Sequence, residues 1–264
     1  MRSEKVVHLA SMATPQTTSM AMCEDHGEYL ATVTHVLSRT FRSPCPECKR
    51  LQTEKETALA VERQRHELAW KLGDALIPKR FKDKTFAAYQ ANNPGQIKAK
   101  ARCHLYAEEF EQNLEAGRCM ILVGNPGTGK THLGVSIAQA IMASTGHTAV
   151  YRTLGGILQS IRATFDGSSG QSEGSILDGL IRPTLLVLDE VGASRETPSE
   201  FELSRLFSII NGRYEKMLPT IVISNLGVKE LPAAMGERSA DRLREGGVIV
   251  LPFTWESQRG KEDL

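Results

Sequence analysis

From about residue 96 onward, short apolar runs alternate with longer stretches in which apolar and polar residues mix at helical spacing. Unbroken apolar runs are typical of strands buried on both faces, and helices between such strands are typical of parallel sheets. The pattern therefore predicts an α/β domain with a central parallel sheet and helices on both faces. The predicted strands cover residues 119–123, 148–152, 184–188, 220–224 and 248–251. The predicted helices cover residues 97–116, 131–144, 156–165, 199–217 and 237–245, with a Gly/Ser-rich loop at 166–175.

The first 95 residues lack this alternation. Residues 1–20 are rich in serine, threonine, methionine and alanine without periodicity, which predicts a flexible tail. An apolar stripe predicts a helix at 53–76, with Thr53 and Glu56 as a capping box and Pro78 as its stop. The expected organisation is a tail at 1–20, a small module at 21–52, a connecting helix at 53–76 and the α/β domain at 77–264.

Composition narrows the class of protein. The chain has 264 residues, a formal net charge of +1 and 41% hydrophobic residues, which is ordinary for a soluble globular protein and does not indicate a strongly basic nucleic-acid binder. No apolar run approaches the roughly 18–20 residues that span a bilayer, and the start of the chain is a poor secretory signal. We therefore expect a cytoplasmic protein with no membrane partner, in which the five cysteines are reduced.

Two closely spaced pairs of metal ligands lie in the small module. Cys23 and His26 form one pair, Cys45 and Cys48 form the other, and 18 residues separate the pairs. This spacing is typical of a tetrahedral structural zinc site, because each short pair makes a tight turn and four ligands complete the coordination of one Zn²⁺. We therefore predict zinc binding by these four residues.

A phosphate-binding loop is the most specific motif in the chain. An apolar strand precedes it and a helix follows it, which is the context that the motif requires. Its glycines let backbone N–H groups surround the β-phosphate, Lys130 would contact the β- and γ-phosphates, and the Thr131 hydroxyl would bind Mg²⁺. ATP with Mg²⁺ is the predicted ligand. The loop consists of Gly124, Asn125, Pro126, Gly127, Thr128, Gly129, Lys130 and Thr131.

Polar residues end two of the other predicted strands. Asp189 and Glu190 follow an apolar strand directly, which is the Walker B pattern. Asp189 would support Mg²⁺ and Glu190 would act as general base toward the attacking water. Asn225 follows the strand at 220–224, where an amide could contact that water or the γ-phosphate.

Three arginines lie on the predicted helix at 237–245, namely Arg238, Arg242 and Arg244. Such a cluster is either a solvated helix face or the source of an arginine that acts on the phosphates of a neighbouring subunit. The residues alone leave both interpretations open.

Several motifs together resemble the DnaC-like bacterial helicase loaders, and the IstB transposition helpers are close relatives of that family. The resemblance covers residues 77–264. The matching segments are Gly124–Thr131, Leu188-Asp189-Glu190-Val191-Gly192, Ser224-Asn225, Gly236-Glu237-Arg238 with Asp241-Arg242, Trp255-Glu256-Ser257, and the lead-in Ile77-Pro78 with Arg80-Phe81.

The resemblance implies an AAA+ fold, ATP hydrolysis with Mg²⁺, and specific roles for three residues. Asn225 would be sensor 1. Arg242 would be the arginine finger and would act through self-association. Arg259 would be sensor 2. The chain ends nine residues after Trp255, so we expect no separate helical lid, and slow hydrolysis that depends on partners.

The resemblance also implies partners. A hexameric replicative helicase and single-stranded DNA are expected, with Phe165, Ser199 and Phe201 near the positions that would contact DNA. The zinc module would contact either the helicase or DNA, and the helicase is the favoured partner.

Three functions therefore compete. The leading hypothesis is a factor that loads a replicative helicase onto single-stranded DNA. The second is a transposition helper that binds duplex DNA and a transposase. The third, a small-molecule P-loop kinase, is disfavoured by the pair Asp189 and Glu190, by Asn225 and by the candidate arginine finger.

Overall fold

The computed structural model of the chain describes residues 16–36, 39–59, 75–165, 170–193 and 197–258. The chain divides into two compact units, Met1–His66 and Glu67–Leu264. Among the helices in these described ranges, none is both long and apolar enough to cross a membrane.

The first unit contains an antiparallel sheet that the sequence analysis did not predict. Its three strands are β1 (Gln16–Cys23), β2 (Gly27–Val36) and β3 (Arg39–Arg42), in the order β1-β2-β3. Residues 16–20, which composition assigned to a flexible tail, are therefore the first part of β1. Thr17 and Thr18 are exposed and suit a strand, because β-branched side chains pack well on a pleated surface.

A helix, α1, follows the sheet, and its described part covers residues 46–59. It begins seven residues before the predicted start at 53, with Pro46 in the first helical position, where a missing N–H costs nothing. Thr53 is not an N-cap, because its hydroxyl donates to the Lys49 carbonyl at 2.8 Å within the helix. The capping-box interpretation was wrong, since the helix already begins around Cys45 and Pro46.

The second unit contains the predicted five-stranded parallel sheet, which is confirmed in the order β5-β6-β7-β4-β8. Its helices flank the sheet, and a short 3-10 turn lies at Lys79–Phe81. The strands are β4 (Met120–Gly124), β5 (Ala149–Thr153), β6 (Leu185–Asp189), β7 (Thr220–Ser224) and β8 (Ile249–Phe253). The helices are α2 (Pro94–Glu108), α3 (Phe110–Glu115), α4 (Lys130–Ser144), α5 (Leu154–Phe165), α6 (Glu173–Ile181), α7 (Glu200–Tyr214), α8 (Leu231–Met235) and α9 (Glu237–Glu245).

Alternate side chains of the sheet enter two separate hydrophobic layers. Leu185 and Val187 of β6 pack in the layer that contains α2 and α4, whereas Leu186 and Leu188 pack in the layer that contains α5, α6, α7 and α9. Because both faces are covered, every position of the strand is buried. This burial explains the unbroken apolar runs in the sequence.

Two helical segments differ from the prediction. The single helix predicted at 97–116 is two helices, because Glu109 has φ −92° and ψ 25° and ends α2 before α3 begins. Helix α6 begins at Glu173, inside the segment predicted as a loop, with the Ser172 hydroxyl accepting a hydrogen bond from the Ser175 N–H. The Gly/Ser-rich composition hid this helix, because a capping serine and helical glycines look like a loop.

Arg213 of α7 ties helices to strands inside the second unit. Its side chain is buried, and its guanidinium donates to the Thr220 hydroxyl at 3.0 Å and to five backbone carbonyls. These carbonyls lie at the end of α6 and just before β6 and β7, so one side chain satisfies acceptors from three elements. Burial lowers the pKa of Arg213 to about 10, and the group remains charged at neutral pH. The acceptors are the carbonyls of Leu180, Ile181, Pro183, Thr184 and Pro219.

Candidate nucleotide site and metal cluster

The candidate nucleotide site lies at the carboxyl edge of the parallel sheet. Strands β6, β7 and β4 are neighbours in the sheet, so the residues that follow them meet at one edge. The loops there are joined by backbone hydrogen bonds, from the Gly124 N–H to the Leu226 carbonyl at 3.1 Å and from the Asn125 N–H to the Phe253 carbonyl at 2.9 Å.

The phosphate loop depends on glycine at its first position. Gly124 has φ 118°, a conformation that side chains with a Cβ rarely adopt, and a Cβ there would collide with the backbone of Phe253. The loop ends at the N-terminus of α4, where free N–H groups and the helix dipole favour an anion. Asn125 and Pro126 are exposed at the outside of the loop, whereas Thr128 is buried.

Lys130 lies in the first position of α4, and its side chain folds back over the loop. Its ammonium donates to the carbonyls of Gly124 at 2.7 Å and Asn125 at 2.6 Å. The residue is only 5% exposed. The lysine charge is therefore directed at the concave side of the loop, where the phosphates of a nucleotide would lie.

The sequence analysis missed the residues that hold this loop from outside. The Trp255 indole N–H donates to the Thr128 carbonyl at 3.1 Å, and the Tyr89 hydroxyl donates to the same carbonyl at 3.4 Å. The Gln258 N–H donates to the Gly127 carbonyl at 2.9 Å. The Trp255-Glu256-Ser257 segment, which carries part of the family resemblance, lies directly against the phosphate loop.

Asp189 ends β6 as a buried carboxylate, only 4% exposed, beside α4. Its Oδ2 accepts a hydrogen bond from the Thr131 hydroxyl at 2.8 Å, and its Oδ1 accepts one from the Glu190 N–H at 2.7 Å. Hydroxyl and carboxylate oxygens side by side are the ligand set that P-loop proteins use for Mg²⁺. These two residues therefore fit a magnesium ion bound together with a nucleotide.

A tyrosine joins this carboxylate, and the sequence analysis did not identify it. The Tyr151 hydroxyl donates to Asp189 Oδ2 at 2.9 Å. Burial, together with the Asp189 charge, raises the pKa of Tyr151 far above its ordinary value, so the hydroxyl keeps its proton. A single tyrosine within an apolar strand resembles a core residue, and no local pattern distinguishes it.

Two further predicted residues lie at the same edge. Glu190 is exposed and has φ 60°, so the backbone turns sharply directly after β6. Asn225 is exposed directly after β7, between the ends of β6 and β4. Arg259 lies outside the described residues.

Arg242 lies at the opposite edge of the sheet. Its guanidinium stacks on the ring of Tyr214 at 4.3 Å and lies 3.5 Å from the Glu245 carboxylate. It lines a cavity of about 440 Å³ together with Gly117 and Thr220, which lie at the amino ends of β4 and β7. Arg242 is therefore not brought to the phosphate loop of its own chain.

Two of the three residues predicted to contact DNA, Phe165 and Phe201, form an aromatic patch with two arginines. Phe165 is 62% exposed, and its ring packs edge-on against that of Phe201, with the ring centres 6.0 Å apart. Arg205 lies over the Phe201 ring at 4.7 Å, and Arg162 lies over it at 5.6 Å. Ser199 caps α7, because its hydroxyl accepts from the Glu202 N–H at 3.2 Å.

The four predicted zinc ligands meet in the first unit. Their ligand atoms all lie within 4.8 Å of one another. Cys23 Sγ lies 3.5 Å from Cys48 Sγ, and Cys48 Sγ lies 3.3 Å from His26 Nδ1. Ligands of a tetrahedral zinc ion are roughly 3.4–3.8 Å apart, so the cluster fits one zinc ion.

Local structure brings the two pairs together. Cys23 ends β1, and a tight turn through His26 returns the chain into β2. Cys45 and Cys48 lie at the start of α1, where the helix dipole favours thiolates. The His26 side chain lowers the pKa of Cys23 to about 6, whereas the hydrogen bond with Cys23 raises that of Cys48 to about 12. A bound cation would favour the thiolate form of both cysteines.

The amino-acid sequence of the chain is similar to those of known ATP-binding proteins. The profile of the IstB-like ATP-binding proteins matches residues 51–243. The replicative helicase loader DnaC of Escherichia coli (strain K12) is 32% identical over 177 residues, which cover 67% of this chain and 69% of that protein. The protein of the same name from Buchnera aphidicola subsp. Acyrthosiphon pisum (strain APS) is 32% identical over 188 residues, which cover 71% of this chain and 74% of that protein.

The fold has its own match among solved structures. The crystal structure of the DnaC helicase loader superposes with a TM-score of 0.59 at 23% identity, and covers 67% of this chain and 100% of that one. This similarity supports an AAA+ P-loop fold.

Proposed function

Since the chain belongs to the family of IstB-like ATP-binding proteins, we propose that it is an ATP-switched factor that loads a hexameric replicative helicase onto single-stranded DNA. The observation that carries this proposal is the identity shared with replicative helicase loaders over two thirds of the chain. Such a role would be exercised in the cytoplasm, where the DNA and the helicase are.

The arrangement at the sheet edge supports ATP hydrolysis as the switch. In the proposed reaction Lys130 neutralises charge on the β- and γ-phosphates, and Glu190 accepts the proton of the attacking water. Thr131 and Asp189 would hold Mg²⁺, which supplies positive charge to the phosphates when bound. Asn225 would orient the water from the neighbouring strand.

The position of Arg242 supports hydrolysis between subunits. A guanidinium held at the amino edge by Tyr214 and Glu245 is on the wrong side to reach its own nucleotide. It would instead complete the site of a neighbouring copy, with effects of about 10³–10⁵ on the rate. Hydrolysis by single copies is therefore expected to be slow, and self-association, helicase or DNA would stimulate it.

The aromatic patch supports contact with single-stranded DNA. The exposed Phe165 ring offers a stacking surface for a base, and Arg162 offers positive charge close by, whereas Arg205 is paired with the Glu173 carboxylate at 3.0 Å. Ser199 would act indirectly, because its hydroxyl is engaged in capping α7.

We assign the zinc module, with Cys23, His26, Cys45 and Cys48, to helicase contact.

The experiment that tests the proposal is native mass spectrometry of the protein mixed with the purified replicative helicase of its host. It is run with ATP, with ADP, and with the variant Lys130→Ala. Lys98→Ala serves as the control, because Lys98 is an exposed lysine on α2. Complexes with several copies per helicase ring that change with nucleotide and with Lys130→Ala, but not with Lys98→Ala, support the proposal. Absence of any complex would refute it.

A second candidate is a transposition helper, because residues 51–243 match the IstB-like ATP-binding proteins. Such a protein would bind duplex DNA in the presence of ATP without a helicase. Fluorescence anisotropy with duplex and single-stranded oligonucleotides of equal length separates the two. ATP-dependent preference for the duplex would move the assignment to this second candidate.

A further inference from the structure

Asp189 is held by more donors than the Walker B pattern alone provides. Its Oδ2 accepts from both the Thr131 and the Tyr151 hydroxyls, at 2.8 and 2.9 Å. If Thr131 turns toward a metal ion, Tyr151 is the side chain that still holds this oxygen. The tyrosine is thus placed to act on the carboxylate without touching the nucleotide.

The sheet register explains why Tyr151 reaches Asp189. Tyr151 of β5 pairs with Val187 of β6 in parallel, and Asp189 is two residues further along the same face. A diagonal neighbour at this offset lies within reach of a long side chain such as tyrosine. The contact between Tyr151 and Asp189 therefore follows from the alignment of the two strands.

The tyrosine is itself fixed from its other side. Its backbone N–H donates to the Ala75 carbonyl at 2.9 Å, along the free edge of β5. Its ring packs against Phe81 with ring centres 6.0 Å apart, and the residue is buried. The lead-in segment 75–81 thus helps to hold the hydroxyl in position.

We propose that Tyr151 is a positioning residue of the magnesium site, whose hydroxyl fixes the rotation of the Asp189 carboxylate toward Thr131. This inference rests on the proposed binding of ATP with Mg²⁺. Without the hydroxyl, a buried carboxylate loses a donor and gains rotational freedom, so it is less prepared for a metal. Binding of the nucleotide phosphates alone, by the phosphate loop, does not use this carboxylate.

The test measures binding of a fluorescent ATP analogue to wild type and to Tyr151→Phe by anisotropy, first in EDTA and then across a Mg²⁺ titration. We expect equal affinity in EDTA within about twofold, and a Mg²⁺ midpoint raised about ten- to a hundredfold in the variant, as for loss of one hydrogen bond to a charged group. Tyr106→Phe is the matched control, because it removes a buried hydroxyl that donates to the Arg118 carbonyl at 2.6 Å.

The outcomes separate a positioning role from a structural one. Thermal unfolding should shift by similar amounts in both variants, whereas only Tyr151→Phe should move the Mg²⁺ midpoint. An unchanged midpoint in Tyr151→Phe overturns the inference while leaving the proposed function standing. A lower midpoint also overturns it, because the hydroxyl would then compete with the metal. Wild type that binds nucleotide without any response to Mg²⁺ overturns the proposed magnesium site itself and this inference with it.

Discussion

The two units of the chain are stabilised in different ways. The second unit, Glu67–Leu264, which we call the ATPase unit after its proposed activity, buries both faces of its sheet in two hydrophobic layers that run through every strand. In the described part of the first unit, the buried hydrophobic side chains are Ala31, Val33 and Cys45, and the last of these is a candidate metal ligand. The opposite face of its sheet exposes Met20 and Leu30, which are paired across β1 and β2.

This difference shows what a small module needs in order to fold. Apolar burial stabilises by roughly 25 cal/mol per Å², so a unit with few buried side chains gains little from it. A structural zinc ion contributes about 10–16 kcal/mol of binding free energy, which in such modules is folding free energy. We therefore expect the first unit to depend on its metal and the ATPase unit to be independent of it.

The largest expected effect tests this contrast directly. Removing the metal with a strong chelator, or replacing a ligand by Cys48→Ala, should abolish the ordered structure of residues 20–50, because four ligands lose their common centre. Hydrogen exchange read by mass spectrometry should show loss of protection there and none in the parallel sheet.

The matched control for this prediction is Cys103→Ala. Cys103 is a buried cysteine of the ATPase core, outside the cluster. This variant should keep a full equivalent of zinc by elemental analysis. Retention of protection at 20–50 after complete removal of the metal would show that the first unit has another source of stability.

The next effect concerns catalysis without a change in fold. Arg242→Ala should reduce the rate of ATP hydrolysis in assemblies by about 10³-fold or more, while nucleotide affinity of the single chain stays unchanged. Mixing Arg242→Ala with Glu190→Gln should restore part of the activity, because one copy contributes its arginine and the other its base. Arg238→Ala, on the same helix and stacked on Phe207, is the control. No recovery in mixtures would contradict action between subunits.

A smaller effect tests the ATPase core. Arg213→Met keeps the volume of the side chain but leaves five carbonyls and the Thr220 hydroxyl without their donor, and should lower the free energy of unfolding by at least about 3 kcal/mol. Urea unfolding followed by circular dichroism measures the change. Arg182→Met, at an exposed arginine paired with Asp178, should change it by less than about 1 kcal/mol. Equal effects of both would disprove the role given to Arg213.

The smallest effect concerns DNA. Phe165→Ala should weaken binding of single-stranded DNA by about 1–3 kcal/mol, as for loss of one stacked base, without changing helicase binding. Ile97→Ala, at another exposed apolar side chain, is the control. Fluorescence anisotropy with a labelled single-stranded oligonucleotide gives the affinities of wild type and of both variants. Equal affinities of wild type and Phe165→Ala would remove Phe165 from the proposed interface.

Much of the ATPase unit could be predicted from sequence, because its signals are local. Strand β7 begins at the predicted residue, and the other four strands of the parallel sheet begin one residue later than predicted. The agreement is close because burial on both faces leaves unbroken apolar runs in the sequence. The sheet of the first unit could not be predicted in this way. Its strands carry exposed threonine and methionine side chains, and we expect a metal bound by the four-ligand cluster to compensate for the missing apolar pattern.

The sequence by itself determined the elements whose information lies within a few residues, namely the phosphate loop, the acidic end of β6 and the two ligand pairs. Only the tertiary structure decided which distant residues meet. The hydroxyl of Tyr151 reaches Asp189 across 38 positions of the chain, and Arg242 lies at the edge opposite to Lys130. Both facts depend on strand order and register, which arise from the packing of the whole sheet and leave no mark in any short segment.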